Sequence, residues 1–326
     1  MTRTVLIVGQ EDDLHVRAVT EEIERRGGDP ALLDPYRTGE DASRLAYGFT
    51  GGERSAAVRA GRRWIDLRDV GAVWWRMKLL SGVSLITAGP AAQSDFVLRE
   101  WRSALDSLDA FTPNATWVNP RAADQSARHK PLQLACAQEL GLAVPDTLVS
   151  NDPPAVAALV RSGGEHIYKV LTWYFEVPDR MVFTSLVDEA AVRDDPAAVA
   201  MAPGIYQARI AKRHEIRATV VGERVFAVRV ESQASDRTEV DWRRDQYGVA
   251  YHAARLDPEL EATLVAMNER LGLAFGAYDL IVTPAGDPVF LEVNPMGQWL
   301  WLERAAGVPI TAAVADHLLS CTRIAA

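Results

Sequence analysis

The sequence predicts an α/β protein of two or three compact lobes, and three observations carry that expectation. The chain opens in β-α-β order: the apolar run Thr4 to Gly9, a helical stretch from Leu14 to Arg26 stopped by Gly27-Gly28, then Ala31-Leu32-Leu33. Its second half holds strand pairs that meet at turn residues, one around Gly222-Glu223 and one around Pro284-Ala285-Gly286-Asp287. Finally, 326 residues exceed the usual content of a single hydrophobic core.

The remaining elements fit between these. The Asp- and Gly-rich piece from Tyr36 to Gly61 predicts hairpin and loop, and Val73-Trp74-Trp75-Arg76 predicts a strand. A helix over 94–107 would place Phe96, Val97, Trp101, Leu105 and Leu108 on one apolar face. Pro, Asn and Thr between Phe111 and Pro120 mark a lobe boundary. Helices are expected over 123–140, ended by Gly141, and over 189–201. Strands are expected over 167–171 and 205–210, the second preceded by the linker Ala202-Pro203-Gly204. A helix over 258–271 leads into the second hairpin, and another over 310–319 closes the chain. No GxGxxG follows Gly9, so a dinucleotide fingerprint is not expected.

Composition narrows the class. The chain is 48% hydrophobic and 24% charged, which supplies an ordinary globular core. A net charge of −9 argues against a general nucleic-acid partner. Cys136 and Cys321 stand far apart with no CxxC, which points to a reducing cytoplasm rather than a disulfide or zinc framework. Thr4 to Gly9 is too short for a signal segment, and no run approaches the roughly 18 apolar residues of a membrane span. The expectation is a soluble cytoplasmic protein.

The chemistry concentrates in Phe290-Leu291-Glu292-Val293-Asn294-Pro295. Glu292 and Asn294 lie two apart, so on a strand a carboxylate and an amide oxygen leave the same face. Asp279 sits in the preceding apolar run, Ala277 to Val282. If residues 284–287 form a four-residue turn, 283 pairs with 288 and Asp279 falls opposite Glu292. Three hard oxygen donors then converge, the set that Mg²⁺ takes while leaving positions for water and phosphate. Alternating polar residues more often mark a solvated strand face. Here the flanking Leu280, Ile281, Val289, Phe290 and Leu291 are too apolar for a casual surface strand.

A phosphate site also needs cations. Lys169 stands inside an apolar strand, where folding alone explains a charge poorly, although a snorkelling or paired lysine is the competing reading. Lys130 opens the helix-rich segment after Pro120. Arg209, Lys212, Arg213, Arg217, Arg229, Arg243 and Arg244 gather in the second half. Acidic residues interleave with them, so both a salt-bridged face and a trough for an acidic peptide are open. His214 is either a base for an attacking hydroxyl or a surface histidine, and Trp299 and Trp301 read as packing residues.

Taken in order, Lys130, Tyr168-Lys169, the segment from Gln207, Glu215-Ile216-Arg217, Asp279 and Glu292-Val293-Asn294 resemble the ATP-grasp superfamily over about residues 120–305. The run Phe290 to Glu303 is similar to the signature of the graspetide, or microviridin-type, ribosomal peptide maturases. Phe183-Thr184-Ser185-Leu186-Val187, Val230-Glu231-Ser232-Gln233 and Val240-Asp241-Trp242-Arg243-Arg244 add support. Val73-Trp74-Trp75-Arg76 resembles part of the family's pre-ATP-grasp domain. Two departures stand out: Leu171-Thr172-Trp173-Tyr174-Phe175 replaces a glycine-rich phosphate loop, and Met77 stands where relatives often carry Arg.

The resemblance implies an ATP-grasp fold with an N-terminal pre-ATP-grasp α/β domain over 1–118, a central lobe over 119–206 and a C-terminal lobe over 207–326. It implies ATP and Mg²⁺ as cofactors. Lys130 and Lys169 would contact phosphates, Gln207 to Ile210 would cup the adenine, and Asp279, Glu292 and Asn294 would hold two Mg²⁺ ions. Arg217 would stabilise the transferred phosphoryl group, and Arg213 and Arg243 would meet substrate carboxylates. The implied partner is a ribosomal precursor peptide with leader and acidic core, the product a macrocyclic ester or amide, and the assembly a homodimer. No nucleic-acid or membrane partner is expected. The alternatives are a ligase for free amino acids or protein termini, and a nucleotide-binding regulator without catalysis.

Overall fold

The computed structural model describes residues 3–37, 39–77, 91–171 and 184–322. Phe183 and the Thr172–Phe175 part of the expected phosphate cover lie outside the described residues.

The chain begins with β1 (Thr4–Val8), α1 (Leu14–Arg25), β2 (Pro30–Leu33), β3 (Arg44–Thr50), β4 (Glu53–Ala60), β5 (Arg63–Asp66), β6 (Val70–Trp75), α2 (Ala91–Asp106) and β7 (Thr116–Val118). Strands β2-β1-β6-β7 form a parallel sheet, and β3-β4-β5 form a small antiparallel one. Every residue of β1 and β6 is buried, the pattern of parallel strands covered on both faces. On α2 the buried face includes Leu98 and Leu105, whereas Phe96 is exposed, so the helix is turned from its expected orientation.

The middle of the chain comprises α3 (Arg121–Ala127), α4 (Lys130–Glu139), β8 (Thr147–Ser150), α5 (Pro153–Arg161), β9 (His166–Lys169), β10 (Ser185–Leu186), α6 (Glu189–Asp194), α7 (Pro196–Met201) and β11 (Gly204–Ala208). Their sheet has order β10-β9-β11-β8 and is antiparallel throughout. Two expected helices are each split in two, over 123–140 and 189–201. Pro131 and Pro196 cannot donate within a continuing helix and instead sit at helix starts. The strands expected over 167–171 and 205–210 end earlier, at Lys169 and Ala208.

The last part contains β12 (His214–Val221), β13 (Arg224–Val230), β14 (Tyr251–Ala254), α8 (Pro258–Arg270), β15 (Phe275–Val282), β16 (Pro288–Asn294), α9 (Leu300–Ala306) and α10 (Ile310–Thr322). The strands form a five-stranded antiparallel sheet in the order β14-β13-β12-β15-β16. One face packs Ile216, Ala218, Val220, Tyr278, Leu280 and Phe290 against α4 and α8. On the other, Val221, Val228, Phe275 and Ala277 share a core with α10, α1 and the first sheet. The C-terminal helix thus returns to cover the beginning of the chain, and Trp299 is buried in that shared core.

Polar clamps join these layers at the loop after Asn294. Asn119, buried behind β7, donates to Phe275 O (2.8 Å) and Pro295 O (2.9 Å) and accepts from the Ala274 and Phe275 N–H groups. Arg76 donates to the carbonyls of Met296 (2.8 Å) and Gly297 (3.0 Å) and pairs with Asp13. His15 Nε2 accepts from Trp299 N–H at 3.0 Å, which leaves Nδ1 to donate to Asp13 at 3.0 Å. Burial alone would raise the Asp13 carboxyl, but the His15 hydrogen bond and the Arg76 charge hold it well below its ordinary 3.8.

A carboxyl whose folded pKa is depressed stabilises the fold above its unfolded value, and the benefit fades as pH falls through the folded one. Wild-type stability, followed by denaturant unfolding, is therefore expected to decline below pH 3.8 more steeply than that of Asp13→Asn. Parallel acid limbs in the two proteins would contradict the clamp.

Candidate active site

Three charged residues stand side by side on neighbouring strands. The register pairs Arg217 on β12 with Asp279 on β15, and Asp279 with Glu292 on β16. Directly opposed residues share a face. Asn294 opposes Ala277, and its position two residues beyond Glu292 directs it to that face.

The pairing of Asp279 with Glu292 is the expected one, but the turn reaches it differently. Val282 pairs with Pro288 and Leu280 with Phe290, then the register shifts before Asp279. The expected 283–288 pair is absent; Thr283 N–H bonds to Asp287 O at 3.0 Å. Leu291 is the extra residue, a bulge in β16. Without it the register from the turn would set Asp279 opposite Leu291 and send Glu292 to the other face. A bulge therefore re-aims the carboxylate.

Cations converge on this row from several elements. Arg217 Nη1 donates to Asp279 Oδ1 at 2.7 Å. Arg243, on a short 3-10 turn Trp242–Asp245 between β13 and β14, donates through Nη2 to Asp279 Oδ2 (2.6 Å) and Glu292 Oε1 (2.9 Å). Lys130, at the start of α4, lies 3.5 Å from Glu292 Oε2 and donates to Val170 O at 2.9 Å. On the β8–β11 sheet, Lys169 donates to Gln207 Oε1 at 2.9 Å, and Gln207 Nε2 donates to Thr147 Oγ1 at 2.8 Å.

The protonation states follow. Burial acts to raise Glu292, but Arg243, Lys130 and Lys169 outweigh it and hold the carboxylate far below the usual glutamate range. Burial pushes Lys169 below the ordinary lysine value, and Lys130 and Arg243 push the same way against Glu292 and Asp279. Arg243 is raised: burial opposes its charge, and the carboxylates of Asp279, Glu292 and Asp241 overcome that.

The donor set fits a hard divalent cation. Two carboxylates and an amide oxygen share one face, and the Arg243 nitrogen in contact with both Asp279 and Glu292 shows that the two carboxylates accept a shared positive charge. Asn294 Oδ1 accepts from Met296 N–H at 2.9 Å and keeps a second lone pair. Among the described residues no three His, Cys, Asp or Glu side chains cluster as a cage. The set is an open one, of the kind that water and phosphate complete.

The other candidates are dispersed. Arg213 is exposed, and its N–H bonds to Val282 O, three residues along β15 from Asp279. Ile210 is half-buried beyond the end of β11. Much of the basic cluster is paired locally: Arg209 with Glu165 and Glu239, Lys212 with Glu215, Arg229 with Glu231. His214 Nδ1 is buried without a hydrogen-bond partner among the described residues, and burial lowers its pKa. Trp299 and Trp301 are packing residues, the second against Trp242 and Tyr251.

Sequence reasoning missed the seat of Arg243 and the polar supports Asn119 and Gln133. Gly297 was missed as well. A β-carbon there would lie 2.3 Å from Ala277 Cβ and 2.8 Å from Arg217 Nη2, so only glycine lets the loop after Asn294 close over this face.

No protein-family model and no curated protein matches this chain. Solved structures do. A Chryseobacterium gregarium RiPP-associated ATP-grasp ligase, in complex with ADP and a leader and core peptide, has a TM-score of 0.85 at 23% identity, over 98% of this chain and 97% of that one. The macrocyclase MdnC of Microcystis aeruginosa MRC, bound with precursor peptide MdnA, is 31% identical over 97% of this chain and 99% of that one, with a TM-score of 0.84. MdnB of the same organism, also a macrocyclase, is 29% identical over 97% and 99%, with a TM-score of 0.74. The fold is that of the ATP-grasp ligases. Within that class the chain belongs to the graspetide, or microviridin-type, peptide maturase family.

The Arg243 contacts generate a test. Arg243→Met removes the internal cation from two facing carboxylates, so nucleotide-free protein is expected to bind Mn²⁺ about tenfold more tightly by calorimetry. Unchanged or weaker binding would show that the guanidinium does not compete with a divalent ion for these carboxylates.

Proposed function

We propose that this chain is an ATP-dependent peptide macrocyclase. It phosphorylates Asp or Glu side chains of a ribosomal precursor peptide and joins them to Thr or Ser hydroxyls as esters, or to Lys amines as amides. The observation that carries this reading is the charge balance of the site. Lys130, Lys169, Arg217 and Arg243 set four formal positive charges against the carboxylates of Asp279, Glu292 and Asp241, the last 3.8 Å from Arg243. The remaining positive charge suits the polyphosphate of a magnesium nucleotide. Family membership, and the peptide and ADP complexes of the similar ligases, support the same conclusion.

Asp279, Glu292 and Asn294 would hold the magnesium. Bound there, it would neutralise phosphate oxygens and stabilise the charge developing on the transferring group. Lys130 and Lys169 would grip the phosphates, with Gln207 orienting Lys169 and Ile210 lining the adenine. Arg217, held by Asp279, would meet the transferring phosphoryl. A substrate carboxylate oxygen attacks the γ-phosphorus and ADP departs, leaving an acyl phosphate. A hydroxyl or amine then attacks the carbonyl carbon, loses its proton and expels phosphate. Arg213 and Arg243 would engage substrate carboxylates, the latter only after leaving Asp279 and Glu292.

The working unit in this reading is a cytoplasmic homodimer. No helix among the described residues is long and apolar enough to cross a membrane, which is compatible with that location. The lobes are 1–118, a central one from 119, and the C-terminal one. We extend the central lobe to Ala208 because β11 pairs with β9 and β8 to that residue.

Each ring formed removes one water, so a precursor peptide incubated with enzyme, ATP and Mg²⁺ is expected to lose roughly 18 Da per ring by mass spectrometry. Asp279→Ala and Glu292→Ala are expected to leave the peptide unchanged and ATP consumption at least about a hundredfold lower, with an unaltered circular dichroism spectrum. An unmodified peptide with wild-type enzyme would reject the proposal. Phosphate release driven by free amino acids alone would favour the other ligase reading.

A further inference from the structure

β16 is an edge strand, and its outer side needs partners for the backbone beside its ligands. Near the turn, Ala143 supplies one: Phe290 N–H bonds to Ala143 O at 2.8 Å. At Val293, between Glu292 and Asn294, a side chain takes the place of a neighbouring strand. Gln133 Oε1 accepts from Val293 N–H at 3.0 Å, and its Nε2 donates to Val293 O at 2.8 Å and Ala127 O at 2.6 Å. Gln133 is 2% exposed, and all three contacts are with main-chain groups. Only a primary amide presents adjacent donor and acceptor in the geometry of a peptide group.

The helix that carries Gln133 also carries Lys130, three residues earlier and hence on the same side of α4. Lys130 Nζ is 3.5 Å from Glu292 Oε2. One amide therefore bonds the backbone between two candidate metal ligands and, through its own helix, fixes the lysine lying across one of them. Rotating or sliding α4 by a fraction of a turn would break these bonds and separate Lys130 from Glu292 together.

We propose that Gln133 is a positioning residue that keys the Lys130 helix to the Glu292–Asn294 strand and so sets the affinity of the site for a magnesium nucleotide. The inference rests on the reading of that site given above. It differs from a purely structural role because the cost falls on ion and nucleotide binding, not only on stability. Supports of this kind typically alter metal affinity by about 10–100-fold.

The test is calorimetric binding of ADP with Mg²⁺, which needs no peptide substrate. Gln133→Met keeps the length and apolar stem of the side chain but removes all three bonds. Tyr278→Phe is the control: it removes the buried hydroxyl that bonds Asn268 at 2.7 Å, next to Asp279 but on the opposite face of β15. Gln133→Met is expected to weaken Mg²⁺-dependent ADP binding at least about tenfold, while Tyr278→Phe binds as wild type does. If Gln133→Met shows no cooperative melt, Gln133→Asn carries the test with the same expectation, its amide being withdrawn by one methylene. Wild-type affinity in the folded Gln133 variant, or an equal loss in Tyr278→Phe, would overturn the inference. Failure of wild-type protein to bind ADP with Mg²⁺ would instead overturn the site reading beneath it.

Discussion

Two carboxylates face each other across adjacent strands, and much else in this structure answers that repulsion. Asp279 and Glu292 are directly paired residues of β15 and β16, close enough that like charges there oppose strand pairing. Arg217, Arg243 and Lys130 each reach one or both of them. The cost of holding two anions together is met by cations drawn from β12, a 3-10 turn and α4, three separate elements. With Lys169 added, the cations outnumber the carboxylates around them, Asp241 included, and the site carries a surplus of positive charge. In the proposed function a polyphosphate with its metal would balance that surplus, and the constraint on folding would become the basis of binding.

The arrangement needs support from outside the sheet. The loop after Asn294 is held by Asn119, Arg76 and His15, all from the beginning of the chain or just beyond it. It closes over the Asp279–Glu292 row because Gly297 has no side chain and Ala277 a small one. On its outer edge β16 is held by Gln133 and Ala143. β16 is thus fixed by its neighbour, by the following loop and by a helix, which is how a site attains definition.

Periodicity carried the fold class and the main elements. Strand β1, helix α1, the hairpin turning at Gly222 and helix α8 fall close to where alternation, helical spacing and glycine placed them. Boundaries near proline did not. A helical period continues through Pro131 and Pro196, but the backbone cannot, so two expected helices became four. Asp279 and Glu292 were legible as a pair because both sit in apolar runs flanking a turn. The bulge at Leu291 was not legible, since an extra residue leaves no mark in an alternating pattern when its side chain is apolar too. Arg243 was legible as a candidate for substrate carboxylates, but its contacts with Asp279 and Glu292 were not: a cation in a polar linker carries no signal of the carboxylates it meets within the fold. Gln133 resembled any other helical glutamine, and its role emerges only when β16 is seen to be an edge.

In the proposed function Asp279 and Glu292 bind a divalent ion together with a nucleotide. The electron paramagnetic resonance spectrum of Mn²⁺ in the presence of ADP and protein tests it directly. A broadened spectrum of protein-bound ion is expected with wild type, reverting to that of free Mn²⁺–ADP in the double variant Asp279→Asn/Glu292→Gln. A broadened spectrum that persists in the folded double variant would place the ion elsewhere and contradict it.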